Sequence, residues 1–516
     1  MNTAMSFVVR ELNLHEKPTE NVIKLLDEGA TIPFIARYRK ELTSGMDEVQ
    51  IEQISIKYNL FKELEKRKKT ILESIESQEL LTDELKERIE FCFDKNTLED
   101  IYLPYKPKKR TRATIAREKG LEPLAKIIMK QNTTDVETSA LRFVSEKVET
   151  VDEAIAGACD IIAEWVNEDA LVRERLRGLF RKEALISSKV AKDKEEEASK
   201  YQNYFEFEEL SKKSPSHRIL AMLRGEKEGL LKLNLAPDKD RAIEIIDRKY
   251  VRSSGAAADV VRKATIDAYT RLLKPSLANE LMSELRQKAE EVAIGVFAKN
   301  LEQLLMSPPL GSKRILAIDP GFRTGCKVVC LDEHGELLHN ENIYPHPPQN
   351  ERANAMKKIN SLIDAYKIEA IAIGNGTAGR ETEVLIKKIQ FSRSVSVYMV
   401  NEDGASVYSA SKEGREEFPS HDVTVRGAVS IGRRLMNPLA ELVKIDPKSI
   451  GVGQYQHDVD AKRLEEALGN VVEFVVNRVG VDLNTASKYL LARVAGLNKT
   501  IAENIIKWRK ENDGFS

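Results

Sequence analysis

Apolar residues recur every three or four positions through most of residues 1–305, and this spacing predicts helices. Between residues 54 and 93 the apolar positions that stand at helical intervals among Lys and Glu are Leu64, Ile71, Ile75, Leu85, Ile89 and Phe93. Opposite charges four residues apart favour a further solvated helix over residues 190–211. Pro215 is expected to end that helix and a new one to follow it. We therefore expect residues 1–305 to be almost entirely helical.

The periodicity changes after a joint rich in Pro, Gly and Ser, "MSPPLGSKR", at residues 306–314. Short β-branched runs bounded by turns follow, with helical segments between some of them, and from about residue 460 the pattern is helical again. This order predicts a β-hairpin followed by βα units. The fold class expected is a multi-domain, mainly α protein with one α/β domain. The predicted domains are residues 1–200, residues 201–310 as a helical continuation and linker, residues 311–445 as the α/β domain, and residues 446–516.

Composition narrows the classes of protein that fit. Of 516 residues, 32% are charged and 6% aromatic, and the net charge of −1 means that any nucleic-acid binding must come from local basic patches. No leader-like segment begins the sequence, and no apolar run is long enough to cross a membrane. The four cysteines are too few and too scattered for a disulfide framework. We expect a cytoplasmic protein with no membrane partner.

A single carboxylate, Asp319, ends the first apolar run of the α/β segment, directly before a Pro-Gly turn. Three roles fit such a position: it holds a catalytic metal, it faces a nucleotide phosphate, or its side chain bonds the backbone of the turn. The second role is not favoured, because the glycine-rich "GNGTAGRE" further along lacks the lysine of a phosphate loop. We favour the turn role.

A run of cations between residues 102 and 117, "YLPYKPKKRTRATIAR", contains no acid. Its candidate phosphate contacts are Lys106, Lys108, Lys109, Arg110 and Arg112. Two tyrosines precede the run, and cations with aromatics are typical of single-strand binding. A solvated connector stiffened by prolines fits equally well. The shorter patch "IARYRKE" at residues 35–41 is more typical of helix packing than of binding.

Longer strings carry a family resemblance. "DEGATIPFIARYRKELTSGMDEVQIEQI" and "LEDIYLPYKPKKRTRATIAREKGLEPLA" resemble the N-terminal region of the Tex family of bacterial RNA-binding transcription accessory proteins. "AIDPGFRTGCKVV" and "VNEDGASVYSAS" resemble its YqgF-type, RNase H-like domain, and "VGVDLNTASKYLLARVAGLNKTIAENIIKWRKEN" its first helix-hairpin-helix. The resemblance spans nearly all 516 residues. The family continues into an S1 domain, which we expect this chain to lack because it stops at "NDGFS".

The resemblance implies where a nuclease would hold its metals. RNase H-like nucleases carry an acid on the first strand and others on neighbouring elements, and together these bind two Mg²⁺ ions. Asp319 fills the first position. Glu381 or Glu383 could fill a second, and Glu402 or Asp403 a third.

The last acid of that superfamily stands near the start of a late helix. By resemblance that helix is "DVTVRGAVSIGRRL", which offers Val425 and Arg426 at the expected place, with Asp422 out of position. Because a cation repels Mg²⁺, we expect no working metal site and no cofactor; Mg²⁺ is expected only for the nuclease alternative. The acids interpreted as vestigial are Asp319, Glu383 and Glu402.

The loop "VAGLNKT" between the two helices of the resembled hairpin is the strongest binding candidate. Gly496 permits a tight turn, and backbone N–H groups at the next helix start can bind a phosphate. Gly496, Asn498 and Lys499 are the predicted contacts, with Thr500 and Glu503 as a capping box. Two apolar faces are predicted: Ala486, Leu490 and Val494 on the first helix, and Ile501, Ile505 and Trp508 on the second. A hairpin used only for protein packing stays open.

The function these features predict is a nucleic-acid-binding, specifically RNA-binding, transcription accessory factor without catalysis. Its partners would be the RNA or DNA backbone, with transcription or ribosomal components as further candidates. The alternatives are a metal-dependent, RNase H-like or resolvase-type nuclease, and a protein scaffold for the transcription or translation machinery.

Overall fold

The computed structural model describes residues 3–107, 110–484, 486–512 and 515. The chain forms two compact units: residues 1–19 with 53–292, and residues 20–52 with 293–516. Helix dominates both units, and one α/β domain lies in the second, so the predicted fold class is confirmed. The domain boundaries predicted at residues 200, 310 and 445 stay predictions. No helix in the described part of the chain is long and apolar enough to cross a membrane.

Helices account for most of the chain up to residue 305. In order they are α1 (Thr3–Leu12), α2 (Glu16–Asp27), α3 (Ile32–Tyr38), α4 (Glu48–Glu76), α5 (Asp83–Glu90), α6 (Lys95–Tyr102), α7 (Arg112–Glu118), α8 (Glu122–Lys130), α9 (Val136–Leu141), α10 (Val151–Asn167), α11 (Ala170–Glu183), α12 (Ser216–Lys227), α13 (Lys239–Tyr250), α14 (Ala256–Asp267) and α15 (Lys274–Leu305). A π-helical turn, Ala268–Leu273, joins α14 to α15.

The prediction of unbroken helix over residues 190–211 is wrong. Three strands, β1 (Leu185–Val190), β2 (Glu206–Leu210) and β3 (Leu231–Ala236), form an antiparallel sheet in the order β2-β1-β3. Turns and a short 3₁₀ helix, Ser199–Tyr204, lie between β1 and β2. Pairs of charges at helical spacing contribute only a few tenths of a kcal/mol each, which is less than a strand ladder with a buried face provides. The new helix after Pro215 is confirmed, since α12 begins at Ser216.

The predicted α/β domain is present and begins with a β-hairpin. Its strands are β4 (Ile315–Asp319), β5 (Cys326–Leu331), β6 (Leu337–Ile343), β7 (Ala370–Gly374) and β8 (Ser396–Val400), in the order β6-β5-β4-β7-β8. β4, β5 and β6 pair antiparallel, whereas β7 and β8 continue the sheet parallel to β4. Its helices and those that follow are α16 (Arg352–Ala365), α17 (Gly379–Ile386), α18 (Ala405–Ala410), α19 (Lys412–Glu417), α20 (Val423–Met436), α21 (Pro438–Leu442), α22 (Ala461–Val479), α23 (Lys488–Leu491) and α24 (Lys499–Glu511).

The central strand β4 is buried on both faces. Leu316 and Ile318 face a cluster completed by α16, whereas Ile315 and Ala317 face a cluster completed by α20. This is why β4 is a continuous apolar run rather than an alternating one. The strand places its last residue, Asp319, at the edge of the sheet.

Helix α20 approaches β4 and β5 very closely at Gly432. A Cβ at this glycine would lie 2.6 Å from Leu331 Cδ1 and 3.0 Å from Ala317 Cβ. Both neighbours are fully buried, so neither can move away without disturbing the core. The missing side chain therefore sets the distance between helix and sheet.

Replacing Gly432 by alanine is expected to destabilise the α/β domain by about 1–3 kcal/mol, because the added methyl group overpacks a dense core. Hydrogen exchange measured on peptides from β4 and β5 reports the free energy of opening this domain directly. Gly469→Ala is the matched control, since a Cβ there meets nothing within 4 Å in helix α22. Equal protection in both variants would show that α20 does not press on the sheet.

Candidate nucleic-acid interface

Two of the predicted acids, Asp319 and Glu402, meet at one edge of the five-stranded sheet. Asp319 ends β4 and Glu402 follows β8, and because β4, β7 and β8 run parallel, their carboxyl ends share this edge. Burial, with a smaller effect from the charge of Glu402, raises the pKa of Asp319 to about 6. Burial also raises the pKa of Glu402. This edge therefore disfavours negative charge when it holds no cation.

The glycine-rich segment after β7 leaves open the space that the Glu402 carboxylate occupies. A Cβ at Gly374 or at Gly376 would overlap the Glu402 carboxylate. The side chain of Asn375, between these glycines, accepts a hydrogen bond from the Glu402 N–H at 3.2 Å. Oε2 of Glu402 is buried and has no hydrogen-bond partner among the described residues. Gly374 and Gly376 therefore lack side chains because the Glu402 carboxylate fills that space. Their presence does not indicate a phosphate-binding loop.

The residue of α20 that faces Asp319 is Gly427, one position beyond the Val425 and Arg426 that the resemblance puts at the place of the last acid. A Cβ built on Gly427 would lie 3.5 Å from Asp319 Oδ2, so this residue of α20 faces the carboxylate. Arg426 points elsewhere: its guanidinium donates hydrogen bonds to the carbonyls of Phe418 and Ser409 at 3.0 and 3.2 Å. The expectation that Arg426 places a cation at the metal position is therefore wrong. The helix presents no side chain at this position.

Two further acids of the domain bond to neighbours close by in sequence. Glu383 forms an ion pair with Lys387 on its own helix, and Asp422 caps α20 by accepting the N–H groups of Thr424 and Val425. Across the described ranges, no group of three or more His, Cys, Asp or Glu residues could hold a metal ion.

The turn role favoured for Asp319 lacks the expected hydrogen bonds. No described residue donates a hydrogen bond to its carboxylate, and its electrostatic neighbours are Glu402 and Lys327. Asp319 is best described as one half of an acidic pair.

Adding the missing carboxylate is expected to create a metal site. Gly427→Asp would bring a third acid beside Asp319 and Glu402, and we expect about tenfold tighter Mn²⁺ binding, because affinity rises with ligand charge. Titration calorimetry or Mn²⁺ electron paramagnetic resonance measures it. Gly469→Asp, which adds the same charge in open space on α22, is the control. Equal Mn²⁺ affinity in both variants would show that the acidic pair lies outside metal reach.

The hairpin between α23 and α24 has the backbone geometry of a tight turn. Gly496 adopts φ +88°, a conformation that favours glycine. Asn498 caps α24 by accepting the Ile501 N–H at 2.9 Å, and Lys499 is the exposed first residue of the helix. The capping box predicted for Thr500 and Glu503 is therefore wrong, because Asn498 already occupies the capping position.

Asn477, at the end of α22, holds this hairpin in place. Its side chain donates to the carbonyl of Arg493 at 3.2 Å and accepts the Ala495 N–H at 2.9 Å. The residue is buried, and the reasoning from sequence missed it. In the sequence, Asn477 is marked only as a polar residue on the apolar face of α22.

The apolar faces of the hairpin differ from the prediction. Ala486 and Leu490 are buried as expected. In α24 Ala502 is fully buried, whereas Ile501 is 39% and Trp508 46% exposed. Trp508 stacks on Phe515, with 4.4 Å between ring centroids. Ile505, the third residue predicted for this face, is half-buried.

Acidic side chains lie close to the basic stretch at residues 106–112 and partly neutralise its charge. Lys106 and Arg112 are exposed, but Arg110 pairs with Glu118 at 2.8 Å. Lys108 and Lys109 lie outside the described residues. The stretch borders a cleft of about 500 Å³ that is also lined by Asp160, Glu164 and Glu168. The run contains no acid in sequence, but the fold supplies several, which weakens its attraction for phosphate.

Four family profiles match successive parts of the chain. The Tex-like protein N-terminal domain matches residues 2–76, and the Tex central region matches residues 131–297. The Tex protein YqgF-like domain matches residues 313–436, and the helix-hairpin-helix motif matches residues 476–516.

Similar proteins occur in bacteria and in humans. The chain is 46% identical to the protein YdcI of Bacillus subtilis (strain 168), over 99% of this chain and 72% of that protein. It is 44% identical to the transcriptional accessory protein Tex of Neisseria gonorrhoeae, over 98% of this chain and 68% of that protein. It is 34% identical to the human S1 RNA-binding domain-containing protein 1, over 100% of this chain and 54% of that protein.

Fold and matches together define a mainly helical, multi-domain protein that carries one YqgF-like α/β domain and a helix-hairpin-helix. Its similarity extends over nearly the full chain and not over single domains alone. The chain belongs to the Tex family, as its sequence strings predict.

Proposed function

We propose that this chain is a nucleic-acid-binding accessory factor in transcription that holds an RNA or DNA backbone without cutting it. The observation that carries the proposal is the hairpin at Gly496, where an exposed Lys499 stands at the first turn of a 13-residue helix. The N–H groups of a first helical turn have no partner within the helix, and the helix dipole is positive at that end. A phosphate bound there would complete the hydrogen bonding of the turn.

Such a contact reads the backbone and not the base sequence. Asn477 fixes the loop through two hydrogen bonds, so the turn is held in shape before a ligand binds. Lys106 and Arg112, exposed in the first compact unit, are separate candidates for phosphate contact. Phosphate contacts position a nucleic acid but carry no base information, so binding tolerates changes of sequence.

The names of similar proteins agree with this proposal. One is a transcriptional accessory protein, and another contains an S1 RNA-binding domain. We extend from them to this chain a role in transcription or RNA metabolism in the cytoplasm, with transcription or ribosomal components as further partners. A protein scaffold would differ in one respect: its associations would survive nuclease treatment.

The proposal also states that this chain does not cleave the nucleic acid that it binds. Asp319 and Glu402 lie at one edge of the sheet, but Gly427 supplies no carboxylate facing them. Burial of both acids without a third ligand leaves too few hard oxygen donors for two Mg²⁺ ions.

Lys499→Ala is expected to weaken binding to all sequences about equally. Loss of one phosphate contact should flatten the plot of log K against log salt by about 0.7 for single strands and about 0.9 for duplex DNA. Fluorescence anisotropy at several salt concentrations measures this slope. The control is Lys507→Ala, a 75% exposed lysine further along the same helix. If the two variants bind alike, the hairpin is not the phosphate site.

Incubation with Mg²⁺ or Mn²⁺ is expected to leave single-stranded, duplex and branched oligonucleotides intact. The carboxylate set around Asp319 lacks the ligands to place two metals on a phosphate. Gel electrophoresis of labelled oligonucleotides is the measurement, with Asp319→Asn and Glu402→Gln as comparisons. Cleavage by the unaltered chain that both substitutions abolish would establish a nuclease instead.

A further inference from the structure

Helix α3 lies beside the hairpin, although more than 450 residues separate them in sequence. The Phe34 ring comes within 3.8 Å of the position that a Cβ on Gly496 would take. The hydroxyl of Thr31, which caps α3, donates a hydrogen bond to Glu473 of α22 at 2.8 Å. All of these residues belong to the same compact unit. The hairpin loop therefore rests directly on α3.

Helix α3 and the residues directly after it carry a cluster of aromatic rings and cations. Phe34 and Tyr38 lie with their ring centroids 5.4 Å apart. The guanidinium carbon of Arg39 lies 4.9 Å from the Phe34 centroid, and Nη1 of Arg39 donates to the Tyr38 carbonyl at 2.8 Å. Tyr38 is 49% exposed, and Lys40 is exposed beside it. Packing within the protein accounts for the buried residues of α3 but not for the exposed ring of Tyr38.

A cleft of about 510 Å³ adjoins Tyr38 and is lined in part by Arg37, Lys40 and Met46. Asp47 and Glu48 line it as well, but Oδ1 of Asp47 is already bonded to the Gln50 N–H at 2.8 Å. Nε of Arg37 is buried and has no hydrogen-bond partner among the described residues. The cleft thus combines cations with an exposed ring, and its volume falls in the usual range of ligand sites.

We infer that Phe34, Tyr38, Arg39 and Lys40, the α3 platform, extend the phosphate site at Gly496 and Lys499 into one surface for single-stranded nucleic acid. The strand passes its backbone over the hairpin and stacks an unpaired base on Tyr38, with Arg39 and Lys40 near the next phosphates. This inference rests on the proposed function and adds a preference for single strands. Only an unpaired base offers its face to a ring, since duplex bases are stacked on one another.

The experiment compares a single-stranded oligonucleotide with a duplex of the same sequence, each made as RNA and as DNA. Tyr38→Ala is expected to weaken binding of both single strands about tenfold, the usual loss when one stacked base is released. Binding of both duplexes should stay within about twofold. Tyr38→Phe keeps the ring and should bind as the unaltered chain does. Leu42→Ala, which truncates a 43% exposed apolar residue nearby, is the control and should change nothing.

A base analogue gives a second readout that does not depend on affinity. A 2-aminopurine in the single strand should lose fluorescence when it stacks on Tyr38, and Tyr38→Ala should remove this quenching at saturating protein while Tyr38→Phe keeps it. Circular dichroism of each variant checks that α3 and its neighbours stay folded. Quenching that persists in Tyr38→Ala would overturn the inference.

The outcomes also separate this inference from the function on which it rests. If Lys499→Ala weakens single strands and duplexes while Tyr38→Ala weakens neither, the platform is overturned and the proposed function stands. If Tyr38→Ala weakens duplexes as much as single strands, base stacking on Tyr38 is excluded. If no oligonucleotide binds at any salt concentration, the proposed function itself fails, whatever the Tyr38 variants do.

Discussion

The close contact of α20 with β4 and β5 determines the chemistry available at the edge of the sheet. Gly432 brings the helix against Leu331 and Ala317, and one turn earlier Gly427 lies over the carboxylate of Asp319. Because the helix is held at this distance, the second turn of α20, which contains Gly427, faces the end of β4. Position 427 is therefore a place on α20 from which a side chain would reach Asp319, and glycine supplies none.

The backbone around the acidic pair of Asp319 and Glu402 accommodates the Glu402 side chain closely. Gly374 and Gly376 leave room for the Glu402 carboxylate, and the side chain of Asn375 accepts its backbone N–H. Burial of the pair opposes ionisation, which is why the pKa of Asp319 rises to about 6. A bound cation would offset this cost, because an opposite charge nearby favours the ionised carboxylate.

The lysine and arginine side chains elsewhere in the chain differ in whether an acid already pairs with them. Arg110 pairs with Glu118, and Arg117 pairs with Glu164, so part of the basic run is neutralised. Lys499 is exposed at a helix start, and Arg39 lies over the ring of Phe34, which contacts the same loop at Gly496. With a net charge of −1, the chain has no general attraction for polyanions. Local geometry must supply whatever binding it has.

Local periodicity determined the helix-rich class, the β-hairpin that opens the α/β domain, the helix that starts after Pro215 and the tight turn at Gly496, because each depends on neighbours within a few residues. Tertiary structure decided the rest. The sheet at residues 185–236 needs partners tens of residues apart, and ladder bonds there outweigh weak helical charge pairs. The direction of Arg426, the position of Gly427 over Asp319 and the contact of Phe34 with Gly496 depend on packing between distant segments, which no local pattern records.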